Sequence, residues 1–311
     1  MSFSETIALK SPTGAFLSVN LRLADTSPRG VLQINHGLAE HSARYARFAE
    51  FLGAHGFHSY AHDHRGHGFT KAPDAPLGRF SEQDGAGKVI ADTHAVHGHI
   101  AARHPGLPVI VFGHSMGGLI AANYVRCHPE HVCGAAIWNA NFSAGMLGRL
   151  ARAILAWEAF RMGSDVPSRV LPRLTFQAWG ESIAAPRTTT DWLSHDAAEV
   201  DAYIDDPLCG WAPSISMWRD VFDLIFAGAD IRKYQTVPRD IPINLVGGAE
   251  DPATDGGKAV ARFAQNLRQA GFSNLVSRIY PETRHESLNE LNRNITMQDL
   301  VNWLDLVIPA R

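Results

Sequence analysis

Short apolar runs rich in β-branched residues alternate with helical patterns along most of this 311-residue chain, and that alternation limits the fold more than any other feature. Residues 31–35 (VLQIN) form one such run, and Tyr45, Phe48, Phe51 and Leu52 then recur at helical spacing. Residues 57–61 give a second run, and a longer helix is predicted from just after Gly85-Ala86-Gly87 to about Arg103. Residues 109–112 (VIVF) precede a predicted helix over 119–127, and residues 134–138 read as another strand. Strand and helix in turn imply a mostly parallel sheet covered by helices on both faces. Ahead of it, residues 6–9 and 16–23 alternate apolar and polar around a Pro12-Thr13-Gly14 turn, which predicts an antiparallel pair. The alternation lapses over residues 142–235, where helices and loops replace strands. It resumes with a strand at 243–246, a helix at 257–270, a strand at 275–280 and a helix at 297–307. The chain therefore reads as an α/β core, residues 1–141 and 236–311, carrying a helical cap insertion, residues 142–235. Connections that long without strands usually have a task.

Bulk properties remove several classes of function. A formal net charge of -3 recruits neither nucleic acid nor an anionic membrane. The first residues lack the basic and apolar regions of a signal peptide, and no run of about 18 apolar residues predicts a membrane-spanning helix. Three cysteines, Cys127, Cys133 and Cys209, form no CxxC pair and fit a reducing compartment, so a cytoplasmic location is expected. Cys127 and Cys133 are read as small core residues. Among the 16 histidines, His62, His64 and His67 share one loop, but no cysteine or second carboxylate cluster joins them, and no metal is expected. Oligomeric state is left open.

The strongest local signal is Gly113-His114-Ser115-Met116-Gly117-Gly118, a G-x-S-x-G pattern between a predicted strand and a predicted helix. A serine on that sharp turn is raised above the sheet, and the crowded backbone demands small residues at 113 and 117. The following helix points its free N–H groups at the same spot. No P-loop pattern occurs. Serine needs a base, and the base needs an orienting carboxylate. Asp251 follows the strand at 243–246 and His285 follows the strand ending at Tyr280, so Ser115, Asp251 and His285 all sit past the C-terminal ends of parallel strands. Glu250 and Asp255 are neighbouring rivals, and Asp251 is preferred because Pro252 fixes its turn.

Three motifs in order resemble the monoacylglycerol lipase and lysophospholipase branch of the α/β-hydrolases: His36 through Tyr45 (HGLAEHSARY), Ala61 through Gly68 (AHDHRGHG) and Gly113 through Gly118 (GHSMGG). The resemblance covers about residues 5–140 and 236–311. Inside the insertion it thins to Glu199-Val200-Asp201 and Asp206-Pro207-Leu208. It implies an α/β-hydrolase fold with a cap, and an oxyanion hole made by the backbone N–H groups of Leu38 and Met116. It also implies that Glu40 and Arg44 lie near the substrate head group, while their spacing of four equally fits a structural ion pair.

The expected chemistry is carboxylic ester hydrolysis without a cofactor. Ser115 attacks, His285 moves the proton, Asp251 orients His285, and water releases the acid from an acyl-enzyme. The expected partner is a small ester or a lipid, with transient contact between the cap and a membrane surface or micelle. Trp157, Phe160, Met162, Phe176, Trp179, Trp211, Met217 and Trp218 supply apolar surface to the insertion, either lining a pocket or packing the cap onto the core. Acyl transfer, cleavage of an amide, and ligand binding without catalysis stay open as alternatives on the same scaffold.

Overall fold

The central strands are apolar on both faces, and each face receives its own layer of helices. A computed structural model describes residues 3–143 and 145–308. Its eight strands are β1 (Glu5–Lys10), β2 (Phe16–Arg22), β3 (Gly30–Asn35), β4 (Phe57–His62), β5 (Val109–His114), β6 (Gly134–Trp138), β7 (Ile243–Gly248) and β8 (Leu275–Tyr280). They form one sheet in the order β1-β2-β4-β3-β5-β6-β7-β8. β1 pairs with β2, and β2 with β4, antiparallel; every other pair is parallel.

Period-two alternation along β5 explains the layering. Ile110 and Phe112 point to a core built with Phe48 and Leu52 of α1 (Ala46–Ala54) and Leu300 and Leu304 of α9 (Arg293–Val307). Val111 points the other way, to a core shared with α2 (Gly85–Arg103), α3 (Met116–Cys127) and α8 (Lys258–Gln269). Both cores exclude water from the strands, and burial at roughly 25 cal/mol per Å² of apolar surface is what holds the layers together. Helix α2 starts at Gly85, three residues earlier than predicted. Asp84 caps it by accepting from the Gly87 N–H, and Asp220 accepts from the Ala86 N–H, so the first turn is paid for by two carboxylates rather than by propensity.

Between β6 and β7 lie α4 (Met146–Met162), α5 (Ala178–Glu181), α6 (Ala197–Asp205) and α7 (Ile215–Ala229). Met217, Val221 and Leu224 of α7 are buried in the same core as α3, so α7 anchors this helical segment to the sheet layer. No helix among the described residues is long and apolar enough to cross a membrane. The reading of Cys127 and Cys133 as core residues is overturned: both are exposed, and only Cys209 is buried. Cys127 ends α3 and Cys133 precedes β6, and the chain there turns at the far edge of the sheet, where the layers no longer cover it.

Candidate active site

The strand order brings β5 between β3 and β6, and the chain leaves β5 in a turn that only small residues permit. A Cβ on Gly113 would lie 2.0 Å from the Gly117 carbonyl oxygen, and one on Gly117 would lie 2.0 Å from the Asn35 carbonyl oxygen. Between them Ser115 has φ 55° and ψ -119°, a strained backbone for a residue with a side chain. Its N–H donates to the Trp138 carbonyl at 2.8 Å, and its carbonyl accepts from the Gly118 N–H at 2.9 Å. The surrounding structure thus holds the serine in place, with α3 beginning at the next residue.

Three loops converge on that serine. His285 Nε2 lies 2.9 Å from Ser115 Oγ, and His285 Nδ1 lies 3.0 Å from each carboxylate oxygen of Asp251. With Asp251 ionised, Nδ1 carries the proton and Nε2 is left to accept from the serine hydroxyl. Burial pushes the Asp251 carboxyl up, but the charge of His285 and hydrogen bonds from His285, Thr254 and Asn139 outweigh it and hold the carboxyl below its ordinary range. The Ala253 N–H and Thr254 hydroxyl donate to Asp251 at 2.9 and 2.8 Å, and the Asn139 amide at 3.2 Å. Of the rival carboxylates, Glu250 pairs with His195 at 3.1 Å and Asp255 with Lys258 at 3.3 Å.

Behind the serine sits a buried charge network. Arg44 bridges Glu40 (2.6 Å) and Glu286 (2.7 and 2.8 Å), and Glu40 also accepts from the Gly37 N–H at 2.5 Å and the Tyr45 hydroxyl at 2.9 Å. Burial works against the Glu40 charge, but Arg44 and then His114 hold its carboxyl well below the usual value. His114 meets the same contest: burial lowers it, and the adjacent Glu40 carboxylate wins and raises it. Its Nε2 donates to the His285 carbonyl at 2.9 Å. Among the described residues the N–H groups of Leu38 and Met116 have no protein acceptor, and both residues border the cavity in front of Ser115. Glu40 touches this cavity; Arg44 lies behind it, in a small recess with Tyr45, Phe48 and Leu288.

The cavity is about 580 Å³. Ser115, His285, Glu40, His114 and Asn139 are among the residues that border it. Leu147, Ala151 and Ile154 of α4, Trp218, Phe222 and Ile225 of α7, and Leu171, Leu174, Phe176 and Trp179 make most of the rest apolar. Trp192 packs on His285 with ring centroids 5.0 Å apart. The loop carrying His285 is tied to the segment before α6: the Glu286 N–H donates to the Leu193 carbonyl (2.8 Å), and Arg284 donates to the carbonyls of Asp191 (2.7 Å) and Ser194 (3.0 Å).

Residues 26–292 match the family model described as serine aminopeptidase, S33. The chain belongs to this family. Within the family's reach, the monoacylglycerol lipase of Mycolicibacterium smegmatis is 30% identical over 287 residues, covering 90% of this chain and 89% of that one. The monoglyceride lipase of Homo sapiens is 26% identical, covering 86% and 82%. The crystal structure of a thermostable carboxyl esterase from Bacillus coagulans superposes with a TM-score of 0.88 at 24% identity, covering 98% of each chain, a likeness of fold. The fold is that of the α/β-hydrolases.

In this S33-family chain several residues at the site carry no mark in the sequence. Asn139 directly follows β6, and its φ of 50° and contact with Asp251 follow from that strand end. Thr254 belongs to an Asp-Pro-x-Thr turn, a pattern that could have signalled a carboxylate wrapped in donors. Glu286 and His114 adjoin predicted site residues, yet their joint contact with Arg44 and Glu40 exists only in three dimensions. Of the eight large residues expected over the site, Phe176, Trp179 and Trp218 border the cavity. Met217 is buried in the core, Met162 and Trp211 pack against buried clusters, and Trp157 and Phe160 are exposed.

Proposed function

We propose that this carboxylic ester hydrolase cleaves esters of one fatty acyl chain and a small polar alcohol, with monoacylglycerol as the reference substrate. The observation that carries the reading is the aligned Ser115–His285–Asp251 set at the polar floor of a long apolar cavity. Apolar pockets of roughly 300–1,000 Å³ suit such ligands. An acyl chain would lie along α4 and α7, and the alcohol would face Glu40, His114 and Asn139.

In the proposed cycle His285 Nε2 takes the Ser115 proton as Oγ attacks the ester carbonyl. The N–H groups of Leu38 and Met116 stabilise the oxyanion, a role in which one lost donor costs about 100- to 1,000-fold in rate. His285 then protonates the leaving alcohol, and activated water releases the acid. Asp251 holds the imidazole in the productive tautomer throughout. Residues 142–235 act as a cap over this chemistry. The exposed residues of α4, among them Leu147 (82% exposed) and Phe160 (89%), support contact between that cap and a micelle or membrane surface where such substrates reside. Three unpaired cysteines support a reducing, cytoplasmic setting.

The family description names an aminopeptidase, which is the second reading. A peptide amino group would seek a free carboxylate near Ser115. Glu40 and Glu286 are both already engaged by Arg44, which favours the ester reading. The test is hydrolysis of monoacylglycerol, p-nitrophenyl esters of graded length and amino-acid p-nitroanilides by wild type and Ser115→Ala. Ester cleavage that disappears in the variant supports the proposal. Cleavage of the anilides alone, or equal rates in both proteins, overturns it.

A further inference from the structure

On the face away from Ser115, three imidazoles gather where two helices meet. His94 lies on α2, His128 is the residue just after α3, and His131 closes the short 3-10 turn Pro129–His131. One nitrogen from each ring falls in a set whose members all lie within 4.8 Å of one another. The rings of His94 and His128 are 4.2 Å apart and those of His94 and His131 are 5.1 Å apart. Zinc bonds imidazole nitrogen at about 2.0–2.1 Å, which sets tetrahedral ligand nitrogens about 3.4 Å apart, so the trio needs only a small closure. The His94 and His128 rings stack within 7° of parallel, so one of them must turn for both to face a single ion; the His128 ring is free to do so, since among the described residues it has no hydrogen-bond partner holding it. Three surrounding groups fit a ligand set. The Tyr124 hydroxyl sits 3.1 Å from His94 Nδ1 and can fix that ring's orientation from outside. The Glu130 carboxylate, 3.2 Å from His131 Nε2, brings negative charge to the rim. A fourth ring, His97, stands 5.6 Å from His131, its buried Nδ1 without a partner.

We propose that His94, His128 and His131 form a binding site for a divalent transition metal, with zinc as the fitting ion. The site is remote from the catalytic serine but joined to it by one helix: α3 starts beside Ser115 and ends next to His128. A metal there clamps the far end of the nucleophile helix to α2 and to the turn before β6. Its effect is on stability, not on the chemical step, because the metal ligands touch none of Ser115, His285 or Asp251.

The experiment uses the full chain, without a histidine tag and stripped with a chelator, titrated with zinc by calorimetry and with cobalt by visible absorption. Wild type should bind one equivalent and show the absorption of cobalt bound by nitrogen ligands. At about 100 times Kd its melting temperature should rise by roughly 5 °C. His128→Asn and His131→Asn should each weaken zinc binding at least about tenfold. Both variants, metal-free, should hydrolyse esters like metal-free wild type, which confirms that they fold. Unaltered zinc affinity in both variants, or no binding to wild type at about 0.1 mM zinc, overturns the site. So does zinc that acts only by inhibiting ester hydrolysis, equally in wild type and variants, since that places the ion on His285.

Discussion

Replacing Arg44 by Met removes the cation that two buried carboxylates share. Glu40 and Glu286 are each 4% exposed, and Arg44 reaches both at 2.6–2.8 Å while its guanidinium stacks 4.9 Å from the Tyr203 ring. Breaking a buried pair typically costs about 3–5 kcal/mol because the remaining charge is stranded. Here the stranded charge has an exit: one of the two carboxyls can take a proton and donate to the other. At pH 7 protonating a carboxyl of ordinary value 4.3 costs roughly 3.7 kcal/mol, and at pH 5 roughly 1 kcal/mol. The sign follows from linkage. In wild type the depressed Glu40 contributes stability that is present above its unfolded value and lost as pH falls through the folded one. In the variant the carboxyl pair is raised, so its penalty shrinks as pH falls. Urea unfolding of wild type and Arg44→Met at pH 7 and pH 5 should therefore give a difference near 4 kcal/mol that narrows to about 1 kcal/mol. Titrating groups outside this network act on both proteins alike and cancel in the difference. A difference below about 1 kcal/mol at pH 7, or one independent of pH, would refute the reasoning.

Asp251→Asn should leave the fold intact and lower kcat by roughly 10⁴-fold through the wrong histidine tautomer, measured on a p-nitrophenyl ester; a loss under about tenfold would remove Asp251 from the role. Gly117→Ala drives a methyl into the Asn35 carbonyl and should destabilise by about 3 kcal/mol or more, read as a lowered melting temperature. Burial lowers His36 to about 4 and His62 and His67 to about 3, so their stabilising effect is present above pH 6.5 and lost as pH falls below it. Unfolding free energy should then drop as pH falls, these three histidines alone contributing a slope on the order of 4 kcal/mol per pH unit near pH 5, and a flat profile between pH 6.5 and 4.5 would contradict that burial. Trp157→Ser with Phe160→Ser should reduce co-sedimentation with phospholipid vesicles while sparing hydrolysis of a short soluble ester; unchanged sedimentation would rule out the exposed face of α4 as the contact.

The sheet was legible because burial on both faces leaves an unbroken apolar run, as in residues 109–112, whose short length and β-branched residues select a strand over a buried helix. The serine, aspartate and histidine were legible because each follows a strand, and parallel strands bring their ends to one edge whatever the distance along the chain. The network around Arg44 was half legible: Glu40 and Arg44 are four apart, but Glu286 joins from 242 residues away, and nothing local marks it. Over α4 the pattern misled in another way. Apolar residues occur around much of its circumference, with Ala151 and Ile154 facing the cavity and Trp157 and Phe160 facing out, so periodicity did not select the inner face. Trp192 follows the polar run Thr188-Thr189-Thr190-Asp191, yet it is 5% exposed against His285.

The bonds between residues 191–194 and the loop of His285 set rules for exchanging parts among related chains. A graft of the whole segment 142–235 would import foreign carbonyls at the positions that receive Arg284 and the Glu286 N–H, and so shift His285 along with the cavity walls. A graft limited to residues 146–181 severs none of these bonds. Inheritance of selectivity can therefore run through α4 and α5 alone, while 191–194 must travel with 284–286 as one unit, although some ninety residues separate them in the gene.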